Sequence, residues 1–217
     1  MKKITLVLGV LLGWATTAQA QTEVQVGVKT GLSHAVLNGT INQGARFKSG
    51  FHAGGVLRWR LSDHVAIQPE LVFSQQGSNN RNPRVPITLE NKTKLSYLNL
   101  PILVKVYLGN VVNLQVGPQF GLLLAAQEVS QVSSGPNGSG FRTVDDDVKD
   151  DYKGDIGVCG GLGADLKNGL LLAARLNYGL SDIDKNVNSQ QVREQLGFGG
   201  LHNRVLEFSV GYVFGAQ

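Results

Sequence analysis

The sequence predicts an all-β fold, an eight-stranded antiparallel up-and-down β-barrel that crosses a membrane with its strands. Three observations carry this expectation. Segments of about 10 residues alternate apolar with small or polar side chains, the period of a strand with two unlike faces. Short and long connections alternate between those segments, as in outer-membrane barrels. No long apolar segment follows the N-terminal one, which excludes a helical membrane protein.

The N-terminus reads as an export signal. Lys2 and Lys3 precede an apolar run from Ile4 to Trp14, and Ala18-Gln19-Ala20 gives the A-x-A cleavage pattern. The expected organisation is therefore a cleaved signal peptide at 1–20 and one barrel domain at 21–217. Cleavage removes two lysines, leaving 18 basic against 16 acidic residues, so the formal charge falls from +4 to +2. The remaining Lys and Arg are scattered singly, without the basic stripe that nucleic-acid binding requires. Cys159 is the sole cysteine, so no intramolecular disulfide forms.

Strand by strand, the two ends of the mature chain show the alternation best. Val24, Val26, Val28 and Leu32 oppose Gln25, Gly27, Lys29, Gly31 and Ser33, while Leu206, Phe208, Val210, Tyr212 and Phe214 oppose Glu207, Ser209 and Gly211. Six more strands are expected at Phe47 to Leu61, Val65 to Gln76, Lys94 to Leu108, Val111 to Ala126, Lys153 to Leu166 and Leu170 to Ser181. Ser62-Asp63-His64, Gly109-Asn110 and Lys167-Asn168-Gly169 read as tight turns, rich in residues that tolerate left-handed dihedrals. The connections His34 to Arg46, Gly77 to Thr93, Gln127 to Tyr152 and Asp182 to His202 read as long polar loops. An even strand count returns both termini to one side, expected to be periplasmic, with the long loops extracellular.

The charges fall on the face opposite the apolar one. They are Lys29, Lys48, Arg58, Arg60, Glu70, Lys105, Asp155, Asp165, Arg175 and Glu207. An uncompensated charge facing lipid at midplane costs about 2–4 kcal/mol, so these side chains are expected to point inward. An eight-stranded barrel is just wide enough to be filled by side chains, which predicts a paired charge network and a plugged lumen. Glu70 and Lys105, on neighbouring strands, are expected to form one of its ion pairs. A soluble lipocalin-type barrel needs the opposite arrangement: the continuous face of Leu98, Leu100, Ile102, Val104 and Val106 would then meet water and aggregate.

No catalytic, cofactor-binding or metal site is predicted. A lipid A-modifying enzyme would place His with Ser and an acid at the rim. His34 beside Ser33, or His202, could supply the base, but no spacing singles either out. The acidic run Asp145-Asp146-Asp147 with Asp150 and Asp151 misses the calcium-loop pattern, having Asp150 where Gly is required. Gly157, Gly160, Gly161 and Gly163 lack the dinucleotide-loop order and lie in a strand, where they make room for interior side chains. Cys159 on the same face reads as a small packing residue.

Gln68-Pro69-Glu70-Leu71 ending near Gln76-Gly77, followed by Leu95-Ser96-Tyr97-Leu98-Asn99-Leu100-Pro101-Ile102-Leu103-Val104-Lys105, resembles the PorT-like outer-membrane β-barrel family. The resemblance continues through Gln115 to Gln119, Asp155-Ile156-Gly157, Ala174 to Leu180 and Asn203 to Leu206, in family order. Asn99 departs from it by standing where an acid is common, and Gly215-Ala216-Gln217 extends past the usual terminal aromatic. The resemblance implies a structural or assembly-related barrel, with secretion-system components among its partners. Phe208, Tyr212 and Phe214 fit the alternate-residue C-terminal signature read by the outer-membrane insertion machinery, and equally an aromatic girdle. Outer-membrane lipid and lipopolysaccharide complete the expected partners. The second function class is a surface interaction protein acting through its loops, especially the flexible composition of Ser133 to Gly140.

Overall fold

In a computed structural model of the chain, residues 23–38, 45–84, 87–134, 140–197 and 199–215 are described. The expected signal segment lies outside them, as do residues 135–139 of the Ser133 to Gly140 stretch. The described strands are β1 (Glu23–Asn38), β2 (Ala45–Arg60), β3 (Val65–Arg84), β4 (Ile87–Leu108), β5 (Val112–Ser134), β6 (Gly140–Asp147), β7 (Asp155–Asp165), β8 (Leu170–Gly179) and β9 (His202–Val213). All neighbours pair antiparallel. Eight of the nine close into a ring, in which β1 pairs with β9, β4 with β5, and β5 with β7. The ninth, β6, pairs among the described residues with the far half of β5 alone.

The ring joins its strands through three tight turns at one end. Gly109 and Gly169 adopt φ of +79° and +89°, the left-handed region these turns require. In the first turn the Ser62 hydroxyl accepts from the Val65 backbone N–H at 3.1 Å, fixing the reversal. At this end the strand limits fall within two residues of those the alternation predicts.

At the other end they do not, and the expected loops need correction. Residues 77–84, 87–93, 127–134 and 140–147 are strand: β3 pairs with β4 as far as Arg84 and Ile87, and β5 with β6 from Gln127 and Asp147 to Ser134 and Gly140. β3, β4 and β5 are 20, 22 and 23 residues long. A bilayer-crossing strand needs about 9–11 residues, so roughly ten residues, about 30 Å, rise beyond the apolar belt. Above that belt the outer face of a strand no longer meets lipid. Alternation of apolar and polar residues then has no cause, and Ser78-Asn79-Asn80-Arg81-Asn82 reads as a loop although its backbone pairs fully. The Asp182 to His202 connection also carries regular structure. It holds helix α1 (Val187–Gln195), whose N-terminus is capped by the Asn186 side chain accepting from the amides of Asn188 and Ser189.

The ring divides its residues as the charges require. Val24, Val26, Val28, Leu32, Leu57, Leu71, Leu100, Val104, Leu114, Leu122, Leu162, Leu172 and Leu176 are exposed on the outside, whereas the inward positions are polar and buried. Phe208, Tyr212 and Phe214 face outward, and the Tyr212 and Phe214 rings meet edge to face at 5.5 Å. The main apolar core is not in the barrel's middle but caps the long-hairpin end. Leu37, Leu95, Tyr97, Leu123 and Ala126 from the strands pack against Ile183 and Leu201 from the last connection, with Val148 and Tyr152 alongside.

Candidate functional site

The lumen is built from inward positions of the ring, and its charges form two layers. Nearer the tight turns, the Asp165 carboxylate accepts from Arg58 Nη1 at 2.9 Å, from Lys105 Nζ at 2.9 and 3.0 Å, and from Tyr107 Oη at 2.6 Å. Arg58 also donates to Gln25 through Nε at 2.7 Å. In the middle, Glu70 accepts both guanidinium N–H groups of Arg175 at 2.8 Å, Lys29 Nζ at 3.0 Å and Gln68 Nε2 at 2.6 Å. Arg175 Nε donates to Gln115 Oε1 at 2.6 Å, and Gln115 to Asn113 at 2.7 Å. Each carboxylate thus faces more than one cation. A charge removed from water at this depth persists only with such pairing and hydrogen bonding.

Glu207 lies directly opposite Arg175 on the neighbouring strand, buried, next to the layer where His52 Nε2 meets Ser209 Oγ at 2.9 Å. Between the two charge layers lies a cavity of about 10 Å³. That is about the smallest space that holds one water. Cys159, buried on the same inner face, donates its S–H to the Gly117 carbonyl at 3.3 Å.

Seven of the sequence-selected residues are therefore buried together: Lys29, Arg58, Glu70, Lys105, Asp165, Arg175 and Glu207. The expected Glu70–Lys105 pair is corrected, because the β3–β4 register sets Lys105 opposite Ala66, four residues from Glu70, and turns it to Asp165. Arg60 lies at the tight-turn mouth, its guanidinium 4.8 Å above the Tyr107 ring. Asp155 belongs to the other end, where it accepts from Ser181 Oγ at 2.9 Å and Asn203 Nδ2 at 3.0 Å. Lys48 donates to the Gln76 carbonyl at 3.0 Å, outside the two layers. The neutral members Gln25, Gln68, Tyr107, Asn113 and Gln115 escape a search for charge, although their strand parity marks them as inward.

Among the glycines of β7, Gly163 does make room for side chains: a Cβ there would meet Gln115 and Asn113. Gly157 and Gly161 instead admit the backbone of β8, and a Cβ at Gly160 would make an ordinary contact with the Gln115 carbonyl at 3.7 Å. His34 meets Ser49 at 3.1 Å, while Ser33 donates to the Gln75 carbonyl. Among the described residues no group of three or more His, Cys, Asp or Glu side chains could hold a metal ion.

The far end is closed by the apolar cap and by an ionic clasp. Arg193 of α1 is buried, pairs with Asp184, reaches Asp182 at 3.6 Å and donates to the Gly199 carbonyl at 3.3 Å. Burial pushes the Tyr152 phenol up to about 12, an effect the charge of Glu128 reinforces. Glu128 is itself raised, first by burial and then by Asp151 and Asp146. A carboxyl raised on folding takes up protons as the cap forms, so this part of the structure gains stability as pH falls towards the unfolded value. Glu128→Gln is expected to slow exchange of the Val148 amide, which bonds the Ala126 carbonyl, at pH 7. The difference should vanish below pH about 4, where the unfolded carboxyl is protonated too; equal exchange at pH 7 would refute it.

The family described as outer membrane protein beta-barrel domain matches residues 18–185. Among solved structures, the chain is similar to Ail, the attachment invasion locus protein of Yersinia pestis, at 13% identity and TM-score 0.44, covering 88% of this chain and 99% of that one. It is similar to Neisserial surface protein A at 13% identity and TM-score 0.45, covering 88% and 98%, and to OprG from Pseudomonas aeruginosa at 15% and 0.36, covering 88% and 94%. No curated protein sequence matches it. With its ring closed and residues 18–185 matched, the chain belongs to the outer membrane protein beta-barrel domain family.

Proposed function

We propose that this chain is a filled, non-conducting barrel of a Gram-negative outer membrane that supports secretion or envelope assembly. It reaches that membrane through a signal peptide at 1–20 and is inserted as the mature 21–217 chain. Phe208, Tyr212 and Phe214 are its assembly signature. Its termini and tight turns face the periplasm, and its long hairpins face outward. The observation that supports a passive cylinder is the double closure of the lumen, by the Asp165 and Glu70 layers and by the apolar cap. The resemblance of the Gln68 to Gln76 and Leu95 to Lys105 segments to the PorT-like family supports the link to secretion. Purified protein in planar bilayers is expected to give no stable ion-conducting steps, and steps of porin size would overturn the reading.

A second reading is supported by the height of β3 to β6. Their paired strands form a sheet well beyond the apolar belt, and β6 has a neighbour on one side only among the described residues. Such a sheet would present a surface to ligands outside the cell. Pull-downs that retain a partner with the hairpins intact and lose it when residues 78–93 and 128–147 are replaced by short turns would favour it.

A further inference from the structure

The tight-turn mouth of the barrel is a blind vestibule of about 580 Å³, lined by Gln25, Arg58, Arg60, Asp63, His64 and Asp165, with Asn110 and Lys167 at its rim. This volume lies within the range of small-molecule sites, about 300–1,000 Å³. Its inner end is the Asp165 layer, so a solute could enter without passing through.

The charges of this mouth do not balance. Arg58, Arg60 and Lys167 face Asp63 and Asp165, and Asp165 is already shared with Lys105. The Asp165 carboxylate already accepts from Arg58, Lys105 and Tyr107, and among the described residues Arg60 makes no ion pair with it. Arg58 in turn donates through Nε and Nη2 to Gln25. Arg60 is left over. Its Nε is buried without a hydrogen-bond partner, and among the described residues no ion pair joins it to Asp63. What holds it is the face of the Tyr107 ring, 4.8 Å from Cζ. A guanidinium is planar, and its two terminal nitrogens form a fork that receives a flat carboxylate through two parallel hydrogen bonds.

We propose that this vestibule binds a single carboxylate carried on a polar small molecule or peptide end, with Arg60 as its receptor and Lys167 as an auxiliary charge. Asp63 and Asp165 line the same space and repel a second negative charge, which favours a monocarboxylate over a phosphate dianion. The polar side chains of Gln25, His64 and Asn110 suit a carrier with its own hydrogen-bonding groups. In the orientation proposed above, the site opens to the periplasm.

The test uses the full mature chain folded in detergent micelles and calorimetric titration with acetyl-diglycine, acetyl-diglycine amide and gluconate. One-to-one, saturable binding of acetyl-diglycine, with none of the amide, is the expected result. Gluconate binding as well would identify a small organic acid as sufficient, and its failure would assign the site to peptide termini. Arg60→Gln should weaken binding by about tenfold or more, the usual loss for a hydrogen bond to a charged group, and Lys167→Gln by less. Folding of each variant is checked by heat modifiability in gels. If Arg60→Gln does not fold, Arg60→Lys keeps the charge, loses the fork and should still bind more weakly. No binding by the unaltered protein, equal binding of acid and amide, or unchanged binding by the Arg60 variant would overturn the site. Binding in micelles is independent of conductance and orientation, so this result and the bilayer result fail separately.

Discussion

Glu70→Gln is expected to destabilise the barrel by about 3–5 kcal/mol, the usual cost of removing one partner from a buried ion pair. The amide keeps the volume of the carboxyl but leaves Lys29 and Arg175 as two cations sharing a space with room for about one water, which cannot replace the lost charge. Lys29→Met should cost less, because Glu70 retains both hydrogen bonds from Arg175 and the one from Gln68. Combined with Glu70→Gln, Lys29→Met should recover part of the loss, since it removes one of the stranded cations. Urea unfolding of the barrel in lipid vesicles measures all three variants. An unaltered unfolding midpoint for Glu70→Gln, together with a lost cellular phenotype, would mean that Glu70 serves a ligand and not the fold.

Asp165→Asn should cost a similar amount, about 3–5 kcal/mol, and for a different set of groups. Asp165 is the common acceptor of Arg58, Lys105 and Tyr107, so its loss strands two cations and a phenol at once. Lys105→Met leaves Asp165 with Arg58 and Tyr107 and should be milder. These pairs are enclosed, so the loss should be nearly the same in 0.1 M and 1 M salt, whereas a solvated pair would be screened over about 10 Å and 3 Å respectively. A loss for Asp165→Asn that disappears in high salt would place this pair in open water and contradict a filled lumen. The two sites occupy separate layers, so their costs should add more nearly than those of Glu70 and Lys29.

How much of this was legible in the chain follows from where two different solvents meet the same strand. Between the tight turns and the belt's far edge, lipid lies on one side and a charged interior on the other. The alternation of Leu98, Leu100, Ile102 and Val104 with Asn99, Pro101 and Lys105 therefore records both the strand and its inward face. The tight turns were equally readable, because Gly109 and Gly169 occupy dihedrals that most other residues avoid. The upper hairpins were not, since an outer face without lipid has no need of the apolar period, and only pairing between distant segments makes Ser78 to Arg84 a strand.

Parity along single strands determined which charges turn inward, since a side chain's face depends only on its place in the two-residue repeat. Which charges meet is another matter. Lys105 joins Asp165 from 60 residues away, and Arg175 joins Glu70 from 105 away, across the width of a closed ring. Those partnerships depend on the stagger between neighbouring strands and on the curvature that brings opposite walls together, neither of which any one strand encodes. The cap at the far end has the same origin. Ile183 and Leu201 lie in a polar connection with no period, and only closure of the barrel sets them against Leu37, Leu95 and Leu123.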